Sequence, residues 1–124
     1  MQELEEIDEE NSAMTIPVHI VYRDVERSDA IDAYVRRHID KLGAQAERII
    51  SCHVALEAPH RRKQHGRHYR VRIDLAIPGA ELVVDRCPDG DRGHEDAYAA
   101  IDDAFDHALR RVGEHARRAR DLSR

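Results

Sequence analysis

A chain of 124 residues with a formal net charge of -5 is the size of one domain, long enough to bury a single core without disulfides or a metal. Its apolar runs fall far short of the roughly 20 residues that span a bilayer, and its acidic start is the opposite of a signal peptide's basic one, so a cytoplasmic protein with no membrane partner is expected. Cys52 and Cys87 form no CxxC pair and are expected as reduced thiols.

The negative charge is concentrated. Residues 1–14 (MQELEEIDEENSAM) hold Glu3, Glu5, Glu6, Asp8, Glu9 and Glu10 and no base, a contribution of -6. The rest of the chain carries all 20 Lys and Arg against 19 acids, the 25 of the whole chain less those six, and is close to neutral. With little apolar content to offset the entropy of ordering, residues 1–14 are expected to be a disordered acidic tail and residues 15–124 the folded domain. Eighteen of the 20 bases are arginine, whose planar fork suits phosphate; the arginine preference of a GC-rich genome gives the same bias.

In residues 16–23 (IPVHIVYR), Val18, Ile20 and Tyr22 alternate with His19, Val21 and Arg23, the period of a strand with one buried face. RSDAIDAYVRRHIDKLG follows, with Ser28 placed as N-cap, Asp29 in the first turn and Gly43 as the stop. Ile31, Tyr34, Val35, Ile39 and Leu42 recur at helical spacing, and Arg36, Arg37, Asp40 and Lys41 face outward. Residues 49–58 (IISCHVALEA) read as a second strand with Cys52, Val54 and Leu56 on one face. Residues 68–77 (HYRVRIDLAI) give the clearest alternation, Pro78 and Gly79 a tight turn, and residues 81–86 (ELVVDR) a fourth strand. Residues 94–119 then show one long helical stripe that includes Ala97, Ile101, Phe105, Leu109 and Val112.

The order β-α-β-β-β-α predicts an α+β two-layer sandwich: a four-stranded mixed sheet, both helices on one face, the other face open and polar. The strands flanking the first helix can be parallel, and the later ones form antiparallel hairpins. Between strands two and three, PHRRKQHGRHYRVR places Arg61, Arg62, Lys63 and Arg67 on a hairpin loop.

The second helix is polarised in charge. Its first half carries Glu95, Asp96, Asp102, Asp103 and Asp106, and its second half Arg110, Arg111, Arg117, Arg118 and Arg120 against Glu114 alone. Complementing the macrodipole accounts for the sign of this asymmetry but reaches only a turn at each end. A row of guanidinium groups facing a phosphate backbone accounts for its extent. The histidines His53, His60, His65 and His68 match no metal-ligand spacing, and the arginines among them repel a dication, so neither metal nor cofactor is expected. No nucleophile, zinc or nucleotide-binding motif is present, and the adjacent Asp102 and Asp103 face different directions on a helix, so no catalytic residue and no small-molecule substrate are expected. With one Phe, four Tyr and no Trp, most of them placed on buried faces, recognition of an RNA backbone and shape is expected over base stacking.

VHIVYRDVERSDAIDAYVRRHIDKL, AERIISCHVALEAPH, YRVRIDLAIPGAELVV and HEDAYAAIDDAFDHALRRVGEHARR together resemble the ribosome hibernation-promoting factor and ribosome-associated translation inhibitor family. The resemblance covers about residues 16–119, and EDAYAAID, residues 95–102, is its most specific piece. It implies a domain similar to double-stranded-RNA-binding domains, lodged in the decoding channel of the small ribosomal subunit. There it would contact ribosomal RNA, exclude tRNA and mRNA, and keep idle ribosomes inactive in stationary phase or stress. The family's RNA contacts map onto Arg36, Arg37 and Lys41 and onto Arg110, Arg111, Arg117 and Arg118, with Arg61, Arg62, Lys63 and Arg67 of the loop as an addition. Tyr98 and Asp102 fall in the specific motif.

Three features depart from the family pattern. The acidic extension is not part of it, and as a mimic of RNA it could fold back over the cationic surface. The chain resembles the short form, without a dimerisation domain. Gly43 and Ala46 stand where many relatives have bulkier residues. A generic RNA-binding adaptor is the alternative reading, and a metal-dependent enzyme acting on RNA ranks below it.

Overall fold

Six elements follow one another along the chain: β1 (Val18–Arg23), α1 (Asp29–Gln45), β2 (Ser51–Glu57), β3 (Arg70–Ile77), β4 (Ala80–Arg86) and α2 (Ala97–Leu122). They come from a computed structural model, which describes residues 16–45, 49–58, 69–87 and 97–122. The strands lie in the order β1-β2-β3-β4. β1 and β2 are parallel, with Val18 opposite Cys52, as a crossover through α1 requires. The two later pairs are antiparallel, with Val54 opposite Ile73 and Ile73 opposite Val84. This is the α+β architecture that the order of elements predicts.

Alternation along the strands decides which face meets the helices. Cys52, Val54 and Leu56 of β2, Val71, Ile73 and Leu75 of β3, and Leu82 and Val84 of β4 are all buried beneath them. From above, α1 contributes Val35, Ile39 and Leu42, and α2 contributes Ile101, Phe105 and Val112. Ala97, Ala100, Ala104 and Ala108 are also buried, and these small side chains let the long helix lie close to the sheet. Burial pushes the Cys52 thiol up to about 12, so it stays protonated and inert at neutral pH.

Local chemistry sets the ends. Ser28 caps α1, its Oγ accepting from the Ile31 amide at 3.2 Å and its carbonyl from the Asp32 amide at 2.9 Å. Gly43 does not stop the helix; α1 runs through it to Gln45. The glycine instead makes room, since a Cβ there would lie 3.1 Å from Cδ1 of Ile16 at the start of the fold. Pro78 and Gly79 form the two-residue turn between β3 and β4, with Gly79 at a φ of 80° that a side chain would disfavour. The expected acidic tail, the hairpin loop with Arg61, Arg62, Lys63 and Arg67, and Glu95 and Asp96 lie outside the described residues.

Candidate nucleic-acid interface

The two helices meet along a polar seam. α1 presents Tyr34 and His38, one turn apart, and α2 presents Tyr98 and Asp102 at the same spacing. Tyr34 donates its hydroxyl to Oδ1 of Asp102 at 2.6 Å, and His38 Nε2 lies 2.8 Å from the same oxygen. A carboxylate only accepts, so that nitrogen carries the proton. The Tyr34 and Tyr98 rings meet edge to face with centroids 4.9 Å apart, and His38 stacks on Phe105 at 4.9 Å. Partial burial pushes the Asp102 carboxyl up, but the hydrogen bonds from Tyr34 and His38 and the nearby His38 and Lys41 outweigh it, leaving the pKa below the usual carboxylate value. Above the seam, Tyr34, Arg37, His38, Asp40, Lys41 and Asp102 line an open groove of about 530 Å³.

Most of the aromatic residues lie on covered faces, as expected: Phe105 is buried, Tyr22, Tyr34 and Tyr69 are half-buried against the core, and Tyr98 is the exception at 38% exposed. The phenols of Tyr34 and Tyr98 sit between the helices, where each ring has an apolar neighbour and a route to solvent. Tyr34 and His38 carry no site role in the sequence reading. The signal was available as two polar-aromatic pairs, each at i, i+4, on two helices that must pack together.

The charge polarisation of α2 has a physical account in part. Two of its acids contact neighbouring elements: Asp102 faces α1, while Asp103, on the other flank, pairs with Arg86 of β4 at 2.9 Å. Its arginines point outward. Among the described residues, Arg110, Arg117 and Arg118 take part in no side-chain hydrogen bond or ion pair. Helical spacing splits the four arginines into two lines. Arg110 and Arg117, two turns or about 10.5 Å apart, lie on the crest, whereas Arg111 and Arg118 lie on the flank towards β4. Arg111 donates from Nη1 to the carbonyl of Val83 at 3.0 Å, covering part of the exposed β4 edge.

On α1 the basic residues also divide. Arg37 and Lys41 border the groove, with the Arg37 guanidinium 5.7 Å from the Tyr34 ring centroid. Arg36 projects from the opposite flank and binds Asp32 at 3.2 Å. The structure therefore brings Arg37 and Lys41 together beside α2 and separates Arg36 from them.

The open face of the sheet is a network of its own. Arg70 makes a bidentate pair with Asp85 at 2.8 and 3.0 Å, and Arg72 pairs with Asp74 at 3.1 Å. The hydrogen bond from Arg70 holds the Asp85 carboxyl below its usual value. His19 and His53 face one another across β1 and β2, 5.3 Å between centroids. Among the described residues no group of three or more His, Cys, Asp or Glu is placed to hold a metal, and no helix is long and apolar enough to cross a membrane.

A family model described as sigma 54 modulation protein / S30EA ribosomal protein matches residues 18–120, from the first residue of β1 almost to the end of α2. The chain belongs to this family. The N-terminal domain of Protein Y from Thermus thermophilus, a crystal structure, has the same fold as this family member: TM-score 0.60 at 21% identity, covering 81% of this chain and 99% of that one. A ribosomal subunit interface protein from Coxiella burnetii gives the same TM-score at 11% identity, covering 82% of this chain and 98% of that one. No curated protein matches the chain.

Proposed function

We propose that this protein is a cytoplasmic ribosome-associated translation inhibitor. It binds ribosomal RNA in the decoding channel of the small subunit and keeps ribosomes silent in stationary phase or stress. The observation that carries this reading is the family match over residues 18–120 combined with the outward line of Arg110 and Arg117. Two arginines about 10.5 Å apart along the axis of one helix can each reach a phosphate of an RNA backbone, without reading base identity. Arg37 and Lys41 extend the cationic surface across the helix seam. Arg61, Arg62, Lys63 and Arg67 of the hairpin loop, and Arg36, Arg111 and Arg118, would make additional contacts.

The protein acts by occupying a site, not by chemistry. Asp102, one of the two acids lining the groove, is engaged by Tyr34 and His38, and this suits it to holding the two helices in register. The test is co-sedimentation of the purified full chain with small ribosomal subunits over a salt series, with bulk double-stranded RNA as competitor. Binding that prefers the subunit and falls steeply with salt is expected. Equal affinity for bulk duplex RNA would favour a generic RNA-binding adaptor, and chelator-sensitive RNA cleavage without subunit binding would favour an enzyme.

A further inference from the structure

The helices run side by side in the same direction, because Tyr34 meets Tyr98 and Asp102 while His38 meets Asp102 and Phe105. With equal rise per residue, the end of α1 at Gln45 is level with roughly residues 109–112 of α2. The last turns of α2 therefore run on past α1. Burial agrees: Val112 is the last buried residue of the helix, and none of residues 113–121 is buried. This projecting stretch carries Arg117, Arg118 and Arg120, preceded by Arg110 and Arg111, against Glu114 and the final Asp121. A helix end with this charge and no apolar face is built to meet an anion in water.

The chain supplies one nearby. Ile16 lies against Gly43 in the last turn of α1. Pro17 accepts a hydrogen bond at its carbonyl from the Cys52 amide at the start of β2. The segment that precedes residue 16 thus enters the fold at the same end from which α2 projects. That segment contains six carboxylates and no base in residues 1–14. Fifteen residues reach at most about 50 Å when extended, several times the spacing of two packed helices, so length sets no obstacle.

We propose that the acidic N-terminal segment docks on the projecting arginines of α2 and competes there with RNA phosphate. The proposal rests on the functional reading only in naming RNA as the competitor; the contact within the chain stands or falls separately. Six carboxylates on the same chain supply a high local concentration of anion. The contact is electrostatic and solvent-exposed, so it weakens as salt rises. It would make the inhibitor selective for targets whose phosphate density exceeds what the tail offers, since a weakly bound RNA would not displace it.

The test compares the full chain with a full-length variant carrying E3Q, E5Q, E6Q, D8N, E9Q and E10Q. Without RNA and at low ionic strength, the NMR signals of the Arg110, Arg117 and Arg118 side chains should move between the two proteins. In the unaltered chain they should move towards the variant's positions as salt is added, while Arg36 and Arg70 stay still. Unmoved α2 signals, or equal movement at every surface arginine, would overturn the docking. The variant should also bind a 20-base-pair RNA duplex about tenfold more tightly at low salt, a gain that disappears at high salt. No gain would overturn the competition. If the α2 signals move but neither protein binds small subunits, the docking stands and the proposed ribosomal role fails.

Discussion

Tyr34 and Asp102, 68 positions apart in sequence, are joined by a 2.6 Å hydrogen bond across the seam between α1 and α2. Asp102 is half exposed, so this bond should contribute at the lower end of the range for a bond to a charged group, about 1 kcal/mol. Tyr34→Phe and Asp102→Ala, each of which removes one partner of the bond, should each lower unfolding stability by at least about that amount in urea titrations. The double variant should cost less than the two losses added, because the second change removes nothing further from the bond. Full additivity would mean that the two groups do not cooperate.

Acid titration gives a second view of the same carboxylate. The folded pKa of Asp102 lies below its ordinary value, so its contribution to stability is complete above the ordinary carboxylate pKa and is lost as pH falls through the folded one. Stability of the unaltered protein should therefore drop more steeply below about pH 4 than that of Asp102→Asn. Asp85 is also depressed, by Arg70 on the open sheet face, and Asp85→Asn should flatten the same part of the curve independently. Parallel curves for all three proteins would assign the acid response elsewhere.

The sheet was legible in the sequence because strand alternation and burial describe the same thing. Tyr69, Val71, Ile73, Leu75 and Ile77 alternate with charged neighbours, and the folded protein puts them on the covered face. The helix end at Gly43 was misread because a local stop signal competes with a tertiary one: the missing side chain is needed by Ile16, not by a turn. The seam was hidden for another reason. Tyr34 and His38 read as ordinary helix residues until Asp102 stands opposite, and which flanks face each other depends on how both helices rotate over the sheet. Arg36 and Arg37 are adjacent in sequence yet serve opposite flanks, one on Asp32 and one at the groove, and that division also follows from the rotation.

Two glycines should respond in opposite ways to alanine. At Gly79 the φ of 80° is disfavoured for any residue with a Cβ, so Gly79→Ala should destabilise the β3-β4 hairpin by about 1 kcal/mol or more. At Gly43 the new methyl meets only the far end of Ile16, while alanine favours the helix by up to about 1 kcal/mol, so Gly43→Ala should be neutral or mildly stabilising. Thermal melts of the two variants decide it. A large loss at Gly43 would show that Ile16 cannot give way.

The cysteines should separate by reactivity. Cys52 is fully buried with its thiol pushed up to about 12, and Cys87 is exposed at the end of β4. Iodoacetamide at pH 8 should label Cys87 in the folded protein and reach Cys52 only after denaturation, as read by peptide mass spectrometry. Labelling of Cys52 under native conditions would mean that the sheet opens locally far more often than its packing suggests.

The arginines provide the most direct test of the interface, because the fold sorts them by geometry rather than by number. Arg110 and Arg117 lie on the crest of α2 with no acidic partner among the described residues, so both guanidinium groups are available to phosphate. Arg110→Glu with Arg117→Glu should cost the most RNA affinity and reduce the salt slope by about two phosphates' worth. Arg111→Glu with Arg118→Glu should cost less, since Arg111 is already committed to the Val83 carbonyl. Arg36→Glu should cost least: its side chain sits on the far flank of α1 and is already paired with Asp32, so its contact with RNA is a minor one. Affinities measured over a salt series would rank the three. Equal losses for the two double variants, with about half that loss at Arg36, would mean that total charge alone governs binding, and a dominant loss at Arg36 would place the RNA on the other flank of α1.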